Sequence, residues 1–506
     1  MGTEAGEPVV DVAPGPVTRR AARNALAVSA AQVAGKVATL AYTIAAARVL
    51  GAHDFGTFAY ALSFALLVAT LPSWGFDPLL VQRGSRDPRE IPRLLSETLV
   101  WRTAIAVPVF GAAAIASVAL RPDSESAVTF VLILVAIAVE VYADAGHAAA
   151  AALQNQTWTS ASLVVQRFLT AALAVASLAL GFDLAGLAVA YLAGSVVGAA
   201  GVALSVRRLG VSLDFRAVNR RGLWDTARMS IAIGIDTVIS LALFRIDQVM
   251  LGALKGDAAV GVYAAAYRLL ETVLFVSWAV AKAVFPVMSA STHSWRVRRG
   301  VEQGLAAVGL LYVPFGVGLL IEAEPVLRVL YGHHYAVTGT LSVRWLAMAP
   351  LVFAAAYLGA YGLLARERRW QVVTVSLVAL GVNVGLNLVL IPAFSSTGAA
   401  AATTLSYLVE ALVTFALLAP DTGWPRLARG LAPSTVASGA MAIVLLVVRA
   451  GLAVEVPLGV ALYVAAWYPL ARWWTPEQLA LIATFLPRRG PDGDPEEPLS
   501  EPASGR

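Results

Sequence analysis

Long apolar runs separated by short polar breaks fill most of the chain. A helix needs about 20 apolar residues to cross roughly 30 Å of hydrocarbon. Runs of that length recur fourteen times, at about 24–49, 55–81, 99–120, 126–151, 160–180, 184–206, 226–253, 259–290, 301–321, 341–364, 371–392, 397–419, 431–450 and 455–474. Within them Ala, Leu and Val follow one another without the alternation, in segments of about ten residues, that marks a transmembrane β-barrel. The pattern predicts an all-α polytopic membrane protein of about 14 transmembrane helices.

The pattern also repeats. Setting Gly56 on Gly261 lays FGTFAYALSF (55–64) over VGVYAAAYRL (260–269), an offset of 205. Further on, GFDLAGLAVA (181–190) lies over AFSSTGAAAA (393–402) and Trp158 over Trp370, both at an offset of 212. Spans 1–6 therefore correspond to spans 7–12. A six-helix unit returns the chain to the side where it began, so the halves run parallel about an axis along the membrane normal and enclose a central cavity. The expected order is a disordered tail at 1–23, a first lobe at 24–206, an amphipathic basic linker along the membrane surface at 207–225, a second lobe at 226–419, two appended spans within 420–474 and a disordered tail at 475–506.

Composition agrees with the pattern: 58% of residues are hydrophobic, 14% are charged and the mean hydropathy is +0.73. The net charge of +5 is unevenly placed. With both termini inside, the inner connections hold 22 Lys and Arg against 4 outside, which predicts an N-in, C-in topology. That charge suits an anionic leaflet and calls for no nucleic-acid partner. The absence of Cys excludes disulfides and thiolate chemistry. The first apolar run exceeds a signal-peptide core and is expected to stay as a helix.

Ionisable residues at membrane depth are costly and are expected to face the interior. Span 1 carries Ser29, Gln32, Lys36, Thr39 and Thr43 at helical spacing, and span 8 carries Arg268, Glu271, Trp278 and Lys282. Span 7 has Asp236 and Asp247 three turns apart on one face, with Arg245 nearby. The repeat sets Lys36 opposite Thr237, so Lys36 and Asp236 are expected to approach across the pseudo-axis. Arg268 with Glu271, and Arg245 with Asp247, equally suit structural ion pairs. In span 4, Glu140 and Asp144 form a possible cation or proton site, or pair with Arg167. Asn383 and Asn387 suit hydrogen bonds between helices. No catalytic constellation, metal cluster or cofactor motif emerges.

RIDQVMLGALKGDAAVGVYAAAYRLLE (245–271), FPVMS (285–289), LYGHHYAVTGTLSVRWLA (330–347), NVGLNLVLIPAFSSTGAAAATTLSY (383–407) and RVLGAHDFGTFAYALSF (48–64) resemble the Wzx-type oligosaccharide flippases of the MOP superfamily. The resemblance covers roughly residues 20–420. It implies a MATE-like fold, with two six-helix lobes around a V-shaped chamber that opens alternately to either side. It also implies a bacterial inner-membrane location, a polyprenyl-pyrophosphate-linked oligosaccharide as cargo, and a glycan polymerase or ligase of the same pathway as partner. Cations on spans 1, 2, 7 and 8 commonly meet the pyrophosphate in this group. Here Lys36, Arg245, Arg268 and Lys282 match, whereas span 2 supplies none. Two alternatives stand beside it: a cation-coupled multidrug exporter of the MATE type, and a polytopic glycosyltransferase or polymerase, which would need a larger outer loop than 322–340.

Overall fold

A computed structural model describes the backbone of residues 16–475 apart from 122, 291 and 292, and the side chains of 35–475 with those positions, 232 and 236 set aside. The described chain is helical: α1 (Pro16–Ser73), α2 (Phe76–Gly84), α3 (Ile91–Leu120), α4 (Ser124–Ala152), α5 (Thr157–Ala179), α6 (Leu184–Arg208), α7 (Arg220–Lys255), α8 (Asp257–Ser289), α9 (Ser294–Tyr331), α10 (His333–Ala347), α11 (Ala349–Ala365), α12 (Arg369–Thr422), α13 (Leu427–Val447) and α14 (Leu452–Trp474). Large apolar side chains such as Ile115, Val389 and Ile443 point outward, as a multi-pass membrane protein requires.

Twelve helices or joined helices among the described residues are long and apolar enough to span. Two of them are double. α1 breaks at Gly51 and α12 at Ser395 (φ 52°, ψ −129°), and dividing them there yields the fourteen expected spans. α10 and α11 together make one span. Some boundaries differ from expectation. α1 begins at Pro16 and takes in residues 16–23, while α7 begins at Arg220, so only 209–219 of the linker is irregular. The expected outer loop 322–340 is helical: α9 bends at Glu322 and runs on to Tyr331 before α10 begins at His333. Residues 1–15 and 476–506, the remainder of the expected tails, lie outside the described residues.

The backbone repeats where the sequence does. Gly51 (φ 76°, ψ −177°) and Gly256 (φ 81°, ψ 177°), 205 positions apart, share one conformation that is essentially closed to residues with a Cβ. Each turns one span directly into the next without a loop. Connections alternate between a basic face, which carries Arg83, Arg207, Arg221, Arg298 and Arg368, and an opposite face, which carries both glycine turns.

Packing differs between the two faces. One hydrophobic cluster joins the lobes, with Tyr42, Phe55 and Phe58 of α1 and Phe130 of α4 continuous with Tyr263 and Tyr267 of α8, Leu327 of α9 and Tyr407 of α12. Toward the basic face the core divides into one cluster of α2, α3 and α4 and another of α8, α9, α11 and α12. The lobes thus share one apolar core at the opposite face, while at the basic face the first part of α7 ties the second lobe to α3, with Thr226 Oγ1 donating to Glu97 Oε2 at 2.7 Å and Trp101 Nε1 to the Leu223 carbonyl at 2.9 Å. α13 and α14 pack against α9 through Met441, Tyr463 and Trp467.

Candidate functional site: a cationic chamber between the lobes

α1 and α8 pack against each other more extensively than any other pair of helices, and α7 completes their interface. A small cavity there is lined by Thr43, Phe55 and Ser63 of α1, Arg245 and Gln248 of α7, and Arg268 and Glu271 of α8. Glu271 is its focus. Arg268 Nη1 lies 2.6 Å from Glu271 Oε2, as the i, i+3 spacing allows, and Arg245 Nη2 lies 3.0 Å from Oε1. Lys36 of α1, half-buried, lies within electrostatic reach of Glu271, Arg268 and Arg245. One carboxylate thus faces three cations near the middle of the spans. Arg268 Nε is buried without a hydrogen-bond partner, a donor with capacity to spare.

Arg245 does not pair with Asp247. Two positions apart on a helix, the side chains point to nearly opposite sides. Asp247 is instead buried in the second lobe, where Asn387 Nδ2 donates to it at 2.6 Å, Tyr263 Oη at 3.1 Å, and Thr403 Oγ1 at still closer range. Asn387 also donates to Asn383 at 3.0 Å, so both asparagines knit α12 to α7.

The first lobe holds a separate polar centre. Glu140 Oε1 accepts from Gln166 Nε2 at 2.6 Å and Ser195 Oγ at 2.8 Å, with Arg167 in electrostatic reach and hydrogen-bonded to Tyr191. Asp144, one turn along α4, is exposed. Lys282 is also exposed, three turns from Glu271 toward the basic face. The side chain of Asp236 lies outside the described residues, so its approach to Lys36 is not described. Thr39 and Thr43, members of the polar stripe, donate to the carbonyls of Gly35 and Thr39 and spend their hydroxyls on their own helix.

Sequence reasoning missed the tyrosines. Buried Tyr42, Tyr191 and Tyr331 all lie in electrostatic reach of Arg268. Their only signal was position, since Tyr42 sits on the turn next to Thr39 and Thr43; an aromatic residue in a membrane helix is otherwise indistinguishable from core.

The opposite face is latched. Thr57 Oγ1 donates to Asp257 Oδ2 at 2.6 Å, and Arg121 Nη2 reaches Asp257 Oδ1 at 3.1 Å. The Arg121 guanidinium also sits 4.2 Å from the Phe130 ring centre. Arg48 donates to the carbonyls of Val329 and Leu330 at the end of α9. Beneath these contacts, a Cβ on Gly56 would lie 1.8 Å from the Asp257 carbonyl oxygen, and one on Gly261 would lie 2.1 Å from that of Ala52. The two glycines equated by the repeat are where the helices cross.

Known proteins share this architecture. The structure described as lipid II flippase MurJ in an inward closed conformation matches with a TM-score of 0.75 and 12% identity, over 88% of this chain and 98% of that one. An inward-facing multidrug resistance MATE family transporter of the MOP superfamily matches at 0.65 with 15% identity, over 76% and 93%. In sequence, a Haloferax volcanii protein described as a probable flippase, AglR, is 26% identical over 243 residues, 46% of this chain and 50% of the relative. The chain spans about half the length of the curated relatives it matches. The profile of the polysaccharide biosynthesis protein family covers residues 21–292, more than half of the chain, and the chain belongs to that family.

Proposed function

We propose that this protein is a flippase that carries a polyprenyl-pyrophosphate-linked oligosaccharide from the leaflet at its basic face to the other leaflet, by alternating access and without bond chemistry. The observation that carries this reading is the excess of cations over acid between the lobes. Among the described residues three cations face one carboxylate, an excess of positive charge at membrane depth that an anionic cargo would offset. A cation-exporting chamber would need the opposite balance. The diphosphate is held by Arg268, Arg245 and Lys36, with Glu271 positioning both guanidiniums between cargoes, while the prenyl tail stays in lipid. Lys282, exposed nearer the basic face, meets the headgroup on entry. Asp247 organises the second lobe, and Glu140 and Asp144 serve the first as a cation or proton site.

The latch at the opposite face supports loading from the basic face. The basic face is the cytoplasmic face of a bacterial plasma membrane. There, a potential negative inside favours outward movement of each negative charge by about 2.3 kcal/mol per 100 mV. A glycan polymerase or ligase beyond the membrane consumes the product. The flippase descriptions of the sequence relatives support this reading.

Because Arg245 also holds Glu271, Arg268→Gln leaves no carboxylate alone, and the protein should insert at normal abundance. Complementation of envelope-glycan export in a flippase-deficient strain should nevertheless fall roughly 10- to 100-fold, the value of a charge-assisted hydrogen bond to the cargo. Full export at normal abundance would remove Arg268 from the site.

A further inference from the structure

The repeat sets the two lobes side by side, and they are not equally filled. α5 and α12 begin 212 positions apart, at Thr157 and Arg369, while the preceding helices α4 and α11 end 213 apart, at Ala152 and Ala365. In the later helices an offset of 212 sets Ala203 on Phe415 and Val206 on Leu418, whereas Gly146, against Val202, matches Gly359, against Thr414. In the second lobe Leu358, Phe415 and Leu418 close a solid cluster with Val297 and Val301. In the first lobe the equivalent place is a crevice of about 720 Å³ between α3, α4 and α6. Leu95 and Leu99 form one wall, Ala203 and Val206 the other, and Gly146 lies in the floor.

Residues 210–213 roof the crevice at the basic face, and the backbone N–H of Asp214 pins that strap to Ser96 Oγ at 2.8 Å. Arg207 stands on the rim, exposed and without an acidic partner among the described residues. Next to it, Arg208 lies 5.1 Å from the ring centre of Trp158, an aromatic residue placed at the level of a membrane interface.

We propose that this crevice is a binding site for an anionic phospholipid of the leaflet at the basic face, with one acyl chain between α3 and α6 and the phosphate against Arg207. An apolar slot at membrane depth takes hydrocarbon, and a cation at its mouth, at the level of the headgroups, selects for negative charge. The lipid fills in the first lobe the volume that Phe415 fills in the second. It wedges the strap that joins the lobes, and it is distinct from the transported cargo.

The full chain in nanodiscs, exposed to phosphatidylglycerol bearing a diazirine in one acyl chain, should crosslink to peptides covering 95–99, 142–146 and 199–213. Phosphatidylcholine with the same chain should label them about fivefold less, the discrimination expected from one interfacial arginine. Arg207→Gln should abolish that preference. Ala203→Phe, which copies Phe415, should remove these crosslinks but leave labelling elsewhere, with unfolding temperature as the control for folding. Should Ala203→Phe not fold, the Arg207→Gln comparison alone decides. Equal labelling by the two lipids in the native protein, or no labelling of these peptides, overturns the proposal. So does displacement of phosphatidylglycerol from the crevice by equimolar undecaprenyl phosphate, which would make it a cargo-tail groove.

Discussion

Arg102 has no exposed surface, yet it carries a full charge inside the first lobe. Its guanidinium donates to Asp77 Oδ2 and to the carbonyl of Val141, both at 2.5 Å, and so ties α2 and α4 to α3. Removing one partner strands the other in a low-dielectric site, so Arg102→Met should destabilise the protein by about 3–5 kcal/mol. The double change Arg102→Met with Asp77→Asn should recover most of that loss. Thermal unfolding in detergent tests both, and equal melting of the single and double variants would show that the pair is not coupled. This pair was not legible in the sequence, because its members are 25 positions apart on different helices. Arg268 and Glu271 were legible because three positions place them on one face. Arg245 was visible as a charge, but the partner its sequence neighbourhood offered, Asp247, is not the one it meets, Glu271, since chain proximity says nothing about which helix a side chain faces.

Among the elements, the paired glycine turns and crossings decide how the lobes move. Gly51 and Gly256 each reverse the chain without a loop, so each turn couples two consecutive spans directly. Gly56 and Gly261 bring α1 and α8 to backbone contact at the opposite face. Gly56→Ala should force these helices apart and raise the population open at that face. Spin labels at Arg48 and Val329, whose residues touch in this state, should report a longer distance in the variant. An unchanged distance in a folded variant would mean that the crossing does not set the closed state. The sequence repeat located Gly56 and Gly261 but not the turn at Gly256, which lies 205 positions after Gly51. The span pattern placed a break between 392 and 397, but not its form, in which Ser395, a residue with a side chain, takes positive φ.

At the scale of the molecule, the spans and the two-lobe plan were legible because hydrocarbon allows few solutions for a backbone: every amide must be paired within its own segment. The helical character of 322–340 was not, because its polar residues read as a loop although α9 continues through them. The assignment of the basic face predicts that reporters fused after residues 215 and 300 register as cytoplasmic, and one near 335 as external. A cytoplasmic signal at 335 would invert the direction of transport.

The crossing of Gly56 and Gly261 bears also on electrical insulation. A carrier large enough for a sugar chain is, between turnovers, a potential hole in an energised membrane. Sealed by side chains, such a hole leaks whenever a rotamer flips. At the crossing of Gly56 and Gly261 main chain meets main chain, and neither position has a rotamer to flip. On the proposed function this crossing is where protons must be held back while the cargo site is open to the basic face, and ion conductance should then remain at background.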